Sequence, residues 1–323
     1  MNDWTSALRY DPLPPLLSSA NPAIALCSAR DLREQSRMRH EELWNLRDAQ
    51  VIVHKQQHNG AWKYPGGSIG IRSRENYDQI ETFRNLGYLV EMYGFDRRSP
   101  AITSAAEFFF RHQTENGDIR GILGNQYAPY YTAAIAELLS KAGYAKDARM
   151  DRIFGWLGSI RQDDGGWAIP LRTQKKNVAI ISTRSRPIEP DRTRPFSHMV
   201  TGVVLRAYAA HPTFRKSREA KEAGALLLSH FFRQDNYADR KSPEFWTRFS
   251  FPFWFTDLVS AMDSLTILGF PKDDAHMNKA IQWFISHQSP SGLWNLHTVR
   301  NKKMESDLWI SLSICRILKR LYL

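Results

Sequence analysis

The sequence predicts an all-α protein, an (α/α) toroid (α/α barrel) built from five to six helical hairpins. Two interleaved repeat signals support this fold class. A Gln-x-x-x-Gly-x-aromatic or apolar motif recurs along the 323 residues, and apolar helical stretches end repeatedly in glycine and an aromatic residue. No stretch shows the alternation expected of a strand. Since a hairpin of roughly 50 residues cannot bury its apolar face alone, neighbouring hairpins must stack.

The first signal has three regular copies, one variant and a worn copy near 234–238. The regular copies begin at Gln56, Gln113 and Gln288, and each has a glycine at its fifth position. The variant begins at Arg161-Gln162, so its glutamine is displaced by one position. Small and aromatic side chains at these positions suit a staple between consecutive hairpins.

The second signal marks the point where one helix ends and the next begins. Glycine after a helix takes the left-handed cap conformation, the aromatic residue packs back on the last turn, and a following aspartate caps the next helix. Each such glycine therefore joins two antiparallel helices. The pairs are Gly94-Phe95, Gly143-Tyr144 and Gly269-Phe270.

These signals predict two sets of helices. Pro129, Pro195 and Pro252 each precede an amphipathic stretch, as proline does at a first helical position. The inner set is predicted near 22–36, 77–93, 129–142, 196–210, 253–268 and 304–321, and the outer set near 40–56, 99–112, 147–160, 215–233 and 274–287. The first and last inner helices, which carry Cys27 and Cys315, are expected to pack together and close the ring.

Composition restricts the class of protein. The net charge of +11 favours anionic partners, while two cysteines exclude a disulfide scaffold. No apolar run reaches the length of a membrane span, and residues 1–17 lack the features of a signal peptide. We therefore expect a cytoplasmic protein with no transmembrane segment and no nucleic-acid module; peripheral membrane contact and the oligomeric state stay open.

We expect one domain over residues 1–323, interrupted by a basic loop insertion at 172–195. Between 171 and 194 the sequence has seven basic and two acidic residues, a balance of +5. Such a loop could cover the mouth of a central cavity and attract an anionic substrate. The alternative is a solvated loop without a ligand.

Two motif segments carry a family resemblance. Residues 279–294, which include Trp283, Gln288 and Trp294, resemble the QW motif of squalene cyclases and related terpenoid cyclases. Residues 152–167 resemble the repeat of that family and of protein prenyltransferase β subunits, the prenyltransferase and squalene oxidase repeat. The resemblance extends from Arg47 to Leu318 and implies an inner ring of helices, an outer ring and a central cavity.

The chemistry of that family is not evident in this chain. The resemblance implies an Asp-x-Asp-Asp motif whose aspartate protonates the substrate, and the sequence lacks it. Asp163-Asp164 fits a turn, and Asp273-Asp274 fits a helix cap. Neither cysteine has a neighbour at zinc-ligand spacing, and no aspartate-rich motif would bind magnesium diphosphate. The sequence thus predicts no metal site and no cofactor.

Asp257 is the first catalytic candidate. If Pro252 occupies the first helical position, Asp257 lies too deep in the helix to cap it. A carboxyl group among aromatic side chains would have a raised pKa and could donate a proton. The alternative is an aspartate that pairs with an arginine such as Arg206 or Arg248.

His198 is the second catalytic candidate, although a histidine at a helix start also suits a hydrogen-bonded wall. Aromatic faces around a cavity could stabilise a carbocation or pack between helices. An acidic residue at a helix start could also favour the helix dipole. The expected substrate-binding residues are Tyr127, Tyr130, Tyr131, Phe253, Trp254 and Asp78.

Three functions remain open. The first is a terpenoid-cyclase-like protein that binds an isoprenoid, with or without a diphosphate, or another hydrophobic or anionic small molecule, and cyclises it by non-standard class II-type chemistry. The second is a lyase or hydrolase that acts on acidic polysaccharide. The third is a non-catalytic toroid that binds a lipid or a protein. A closed apolar cavity favours the first, an open groove with exposed tryptophans the second, and a filled centre the third.

Overall fold

A computed structural model describes residues 4–33, 40–66, 74–174, 186–238, 241–299 and 305–322. These residues form α-helices, short helical turns and loops, and strand pairing among them is limited to isolated bridges. The α-helices in chain order are α1 (Leu13–Leu17), α2 (Pro22–Arg33), α3 (His40–Trp44), α4 (Arg47–His54), α5 (Arg74–Tyr93), α6 (Pro100–Arg111), α7 (Pro129–Leu139), α8 (Ala148–Ser159), α9 (Pro170–Thr173), α10 (His198–Ala210), α11 (Arg218–Ser229), α12 (Leu258–Ile267), α13 (Ala275–Ser286) and α14 (Ser306–Tyr322).

Six of these helices, α2, α5, α7, α10, α12 and α14, form an inner ring. From α5 onward each packs beside the next inner helix, and α14 returns to α2. The thiol of Cys27 in α2 lies 3.8 Å from the carbonyl oxygen of Met92 in α5, which joins the remaining pair. The outer helices α4, α6, α8, α11 and α13 pack against the inner ones. The predicted all-α ring of helical hairpins is confirmed.

The motif glutamines join each hairpin to the next. Nε2 of Gln56 donates to the carbonyl of Gly60 in its own loop at 2.9 Å and to that of Ala101 in α6 at 2.8 Å. Gln113 repeats this arrangement, with 2.8 Å to the carbonyl of Arg149 in α8. One amide group thus closes its own loop and holds the second residue of the following outer helix.

The motif glycines make the closest contact in the same joint. Gly60 and Gly117 have φ of +87° and +108°, a region that favours glycine. A Cβ added at these positions would lie 2.1 Å from the carbonyl oxygen of Ser104 and 2.2 Å from that of Arg152. The next outer helix therefore fits against the loop only where no side chain is present.

The motif tryptophans tie the loop to two more helices. Each indole N–H donates to a carbonyl ten residues earlier in the preceding outer helix, at 2.7 Å in all three cases. Each backbone N–H donates to a hydroxyl of the next inner helix. The pairs of tryptophan and hydroxyl residue are Trp62 and Thr82, Trp167 and Thr201, and Trp294 and Ser311.

In the variant repeat, Arg161 replaces the glutamine. Its Nε donates to the carbonyl of the loop glycine at 2.6 Å, and Nη2 reaches the carbonyl of Glu219 in α11 at 3.4 Å. The displaced Gln162 instead donates to the carbonyls of Asp191 and Arg194, both at 2.9 Å. The hairpin joint is thus preserved, and the extra glutamine holds the end of the insertion.

The insertion expected at 172–195 starts at the end of α9, and residues 175–185 of it lie outside the described residues. Its later part is bound to the start of α7. The Gln126 side chain accepts from the backbone N–H of Ile188 at 3.1 Å and donates to the carbonyl of Arg186 at 3.2 Å. The Tyr127 hydroxyl donates to Glu189 at 2.9 Å. The described part of the basic loop is therefore docked rather than free in solvent.

The ring closes through both termini. Arg316 in α14 donates to the Asp31 carboxylate in α2 at 2.8 Å, as expected of two paired terminal helices. Gln288 donates to the carbonyl of Tyr10 at 2.7 Å, and a Cβ at Gly292 would lie 2.3 Å from the carbonyl oxygen of Asp11. The N-terminal segment thus takes the place that an outer helix takes in the regular joints.

Two expected helices differ in the structure. The stretch near 40–56 is divided into α3 and α4. The stretch near 253–268 becomes helical only at Leu258, because Asp257 forms the N-cap together with Ser260. The interpretation of Pro252 as a first helical residue, and of Asp257 as too deep to cap, is wrong.

We expect Gly117→Ala to destabilise the protein, since both the positive φ and the carbonyl of Arg152 oppose a methyl group. The backbone alone should cost about 1–3 kcal/mol of unfolding free energy in a urea titration. Gly155→Ala in the outer helix α8 is the control, because nothing lies within 4 Å of an added Cβ there. The control should be stabilising by up to about 1 kcal/mol; equal stability of both variants would contradict the joint.

Candidate functional site

Residues 250–256, which we call the central segment, pack against the inner helices α5, α10 and α14. It precedes α12 and has no helical structure of its own. Its aromatic side chains contact three different inner helices. The ring centroid of Phe251 lies 5.2 Å from that of Trp309 in α14, and the ring centroid of Trp254 lies 5.1 Å from that of Phe83 in α5. The guanidinium carbon of Arg206 in α10 lies 5.8 Å from the ring centroid of Phe253.

Asp257 follows the central segment and ties it to α12. Its Oδ1 accepts the backbone N–H of Ser260 at 2.8 Å, and the Ser260 hydroxyl accepts the N–H of Asp257 at 2.9 Å. Its Oδ2 accepts the N–H of Ser250 at 3.4 Å. The bond from Ser250 corresponds to one in the first repeat, where the hydroxyl of Thr82 accepts the backbone N–H of Trp62 in the loop.

Asp257 is fully buried, and burial raises its pKa to about 7 although the two backbone N–H groups favour its charged form. The arginines considered as its partners are engaged elsewhere. Arg206 pairs with Glu137 at 2.8 Å, and Arg248 pairs with Glu244 at 2.8 Å. The predicted elevation of the pKa therefore agrees with the structure, and the proposed arginine pairing does not.

A network of four charged residues lies beside the central segment. Glu137 in α7 accepts from Arg206 and, at 2.8 Å, from Lys141, which also reaches Glu91 of α5 at 2.5 Å. Burial alone would raise the pKa of Glu137, but the two cations hold it below its usual value. Arg206 also donates to the carbonyl of Phe255 at 3.3 Å, which links the network to the central segment.

A narrow cleft remains between α5, the end of α7 and the central segment. The cleft has about 310 Å³ free of protein atoms when the part open to solvent is included, and its closed part has room for no more than about one water molecule. Leu138, Pro252 and Gly87 line it. The aromatic residues that line it are Phe83, Tyr88, Phe253 and Trp254, and the charged ones are Arg84, Glu91 and Glu137.

The expected aromatic residues are only partly brought together. Phe253 and Trp254 line the cleft, and Tyr131 contacts Phe83 at a centroid distance of 6.1 Å. Tyr130 packs on Tyr131 at 4.4 Å and extends this aromatic group. Tyr127 lies against the insertion through Glu189, as described above, and is absent from the described residues that line the cleft.

His198 and Asp78 have positions typical of wall residues. His198 is buried on Trp246, with a centroid distance of 4.7 Å, and burial lowers its pKa to about 4. Its Nδ1 lies 3.4 Å from Oδ2 of Asp235. Asp78 accepts the backbone N–H of Tyr64 at 2.8 Å and so fixes the loop before α5. Neither is among the described residues that line the cleft, and their predicted roles stay predictions.

Sequence reasoning missed the residues that give the cleft its character. Arg84 lies over Trp254, with its guanidinium carbon 5.2 Å from the ring centroid. Glu137 was detectable, because it is a charged residue within an otherwise apolar stretch, and Arg206 was considered only as a partner of Asp257. Their pairing was not detectable, since 69 residues separate them in the chain.

The described residues contain no cluster of three or more His, Cys, Asp or Glu side chains that could hold a metal ion. Among the same residues, no helix combines the length and the apolar character that crossing a bilayer would require.

Comparisons with known proteins found similarity among solved structures alone. No family model and no curated protein matches the sequence. A protein from Actinoplanes has a TM-score of 0.43 at 15% identity, with 87% of each chain covered. Type II terpene cyclase MstE from Scytonema, in complex with its substrate geranylgeranyl dihydroxybenzoate, has a TM-score of 0.40 at 12% identity, with 88% of this chain and 98% of that chain covered.

We expect Asp257→Asn to change how stability depends on pH. Because the pKa of Asp257 is higher in the folded state, the folded protein holds a proton that the unfolded chain releases between about pH 4 and pH 7. Wild-type stability should therefore fall relative to the variant as pH rises through this range, by at most about 1.4 kcal/mol per pH unit.

Thermal unfolding of both proteins over that range measures the difference. Asparagine remains a good N-cap, so the variant should fold. Asp274→Asn makes the same change at the partly exposed cap of α13 and is the control. A pH-independent difference between wild type and Asp257→Asn would show that this carboxyl group does not titrate in the range.

Proposed function

We propose that this chain is a terpenoid-cyclase-like ring that binds a short isoprenoid, or a comparable unsaturated hydrophobic molecule, in the aromatic cleft. The observation that carries the proposal is the set of four aromatic side chains, from α5 and the central segment, that line one cleft. Aromatic faces are typical walls for small apolar ligands, with a few polar groups to orient them. Arg84 is such a group, because it lines the cleft. Its Nη1 donates to the Glu81 carboxylate at 2.8 Å.

Four observations favour binding over cyclisation. The aromatic side chains of the central segment pack on α5, α10 and α14, three of the helices that would surround the cavity of a cyclase. Asp257 uses both carboxylate oxygens for backbone N–H groups, at 2.8 and 3.4 Å. The aromatic walls of the cleft are separate from that carboxyl group, and the chain lacks an Asp-x-Asp-Asp motif.

A second candidate function is isoprenoid cyclisation with Asp257 as the acid. The pKa near 7 favours it, because a carboxyl group protonated near neutral pH can donate a proton. Phe253 and Trp254 would then supply aromatic faces for a carbocation. This function requires the central segment to move so that the substrate reaches Asp257.

The polysaccharide lyase or hydrolase receives no support from the described residues. All ten tryptophans lie in the described part of the chain, and each is buried or half-buried. An open sugar-binding groove with exposed tryptophans is therefore not seen there.

We expect isothermal titration calorimetry to detect binding of geraniol to the wild type. Trp254→Leu should weaken it roughly tenfold, because an aromatic wall of the cleft is lost. Trp283→Leu is the control, since this half-buried tryptophan lies on the outer helix α13 and stacks on His287. Absence of binding to the wild type would contradict the proposal, and an equal loss in both variants would contradict the location.

Geranyl diphosphate, titrated in parallel, tests the head group. Tighter binding than geraniol would assign an anionic head to the ligand, with Arg84 as its nearest cation in the cleft. Equal or weaker binding would restrict the ligand to an uncharged chain.

The acid function predicts a product. Wild type incubated with geranylgeraniol should form a cyclic hydrocarbon or alcohol detectable by gas chromatography and mass spectrometry, and Asp257→Asn should form none. Binding without any product in the wild type would leave the non-catalytic ring as the function.

A further inference from the structure

We propose that Gly87 is a specificity-determining residue of the cleft, kept without a side chain so that a thin, unsaturated part of the ligand can lie against α5. This inference rests on the proposed binding function and deepens it. Gly87 lies in the middle of the longest inner helix and lines the cleft together with Leu138 and Pro252.

A glycine at this position is unfavourable for the helix. Glycine loses more conformational freedom on folding than alanine, so it weakens a helix interior. The backbone at Gly87 gives no reason for glycine, because the residue is within the regular helix α5 and is not among the positive-φ glycines.

The neighbouring residues also do not require a glycine. A Cβ at Gly87 would lie 3.7 Å from Cδ1 of Leu138 and 3.7 Å from Cβ of Pro252, which are ordinary van der Waals contacts. The other buried helical glycines differ. At Gly202 an added Cβ would lie 2.3 Å from Thr256, and at Gly224 it would lie 2.6 Å from Phe270.

Gly87 is thus the buried helical glycine, among the described residues, that packing within the protein does not explain. What an added methyl group would change is the cleft itself, since Gly87 lines it and its closed part is small. Phe83 lies one turn before Gly87 and Glu91 one turn after it. Along α5, Gly87 therefore lies between an aromatic and a charged residue of the cleft.

The charges around this position indicate an apolar occupant. Glu91 and Glu137 are both paired with Lys141, at 2.5 and 2.8 Å, and Glu137 is paired with Arg206 as well. A cationic ligand would compete with these ion pairs, whereas an uncharged chain would leave them intact. A flat alkene segment suits both the missing side chain at Gly87 and the aromatic residues that line the cleft.

The test compares Gly87→Ala with Gly155→Ala, a glycine-to-alanine change in an outer helix where nothing surrounds the new methyl group. Both variants should melt at a temperature equal to or a few degrees above that of the wild type. Geraniol affinity measured by calorimetry should fall about tenfold or more in Gly87→Ala alone, as expected when one extra methyl group meets a fitted ligand.

The outcomes separate this inference from the function on which it rests. If the wild type binds geraniol and Gly87→Ala binds it equally well, the inference is wrong and the binding function stands. If Gly87→Ala melts several degrees lower while Gly155→Ala does not, the glycine serves folding, and the inference is again wrong. If the wild type binds no geraniol, the proposed function fails and this inference with it.

Discussion

The ring depends on one close contact, in which a motif glycine meets the backbone of the next outer helix. Gly60, Gly117 and Gly292 each leave 2.1–2.3 Å between an imagined Cβ and a carbonyl oxygen. A glutamine four residues earlier donates to both sides of the contact, so its position is fixed by hydrogen bonds as well as by shape. At the last copy the partner is the N-terminal segment at Asp11, and the same joint therefore closes the ring without a further outer helix.

The sequence predicts the fold well because the joint is local and repeated. Gln56 and Gly60 lie within one loop, and each regular copy shows the same spacing, so the pattern is visible without knowledge of tertiary contacts. Arg161 shows why the variant copy still works. A guanidinium, like an amide, can donate to the loop carbonyl and to the next outer helix at once, so the residue type changes while the two bonds remain.

The candidate site was harder to predict, for two physical reasons. At Pro252 a helix-start signal competed with the capping box of Asp257 and Ser260, and the capping box determined where α12 begins. At the network, Glu137 and Arg206 belong to helices far apart in the chain, and only the ring brings them to 2.8 Å. The proposed role of Gly87 has no sequence signal, because it rests on the distances from an added Cβ to Leu138 and Pro252.

The central segment explains why a raised pKa does not by itself identify an acid here. Burial is the main cause that raises the pKa of Asp257, and its carboxyl group is absent from the described residues that line the cleft. The two backbone bonds to Ser260 and Ser250 give the carboxylate a structural task that accounts for its position. Access and acidity are thus coupled in this conformation: a path that admitted water to Asp257 would return its pKa towards the ordinary range. The aromatic cleft carries no such conflict; its closed part holds no more than about one water molecule, so a ligand there would occupy the part that opens to solvent.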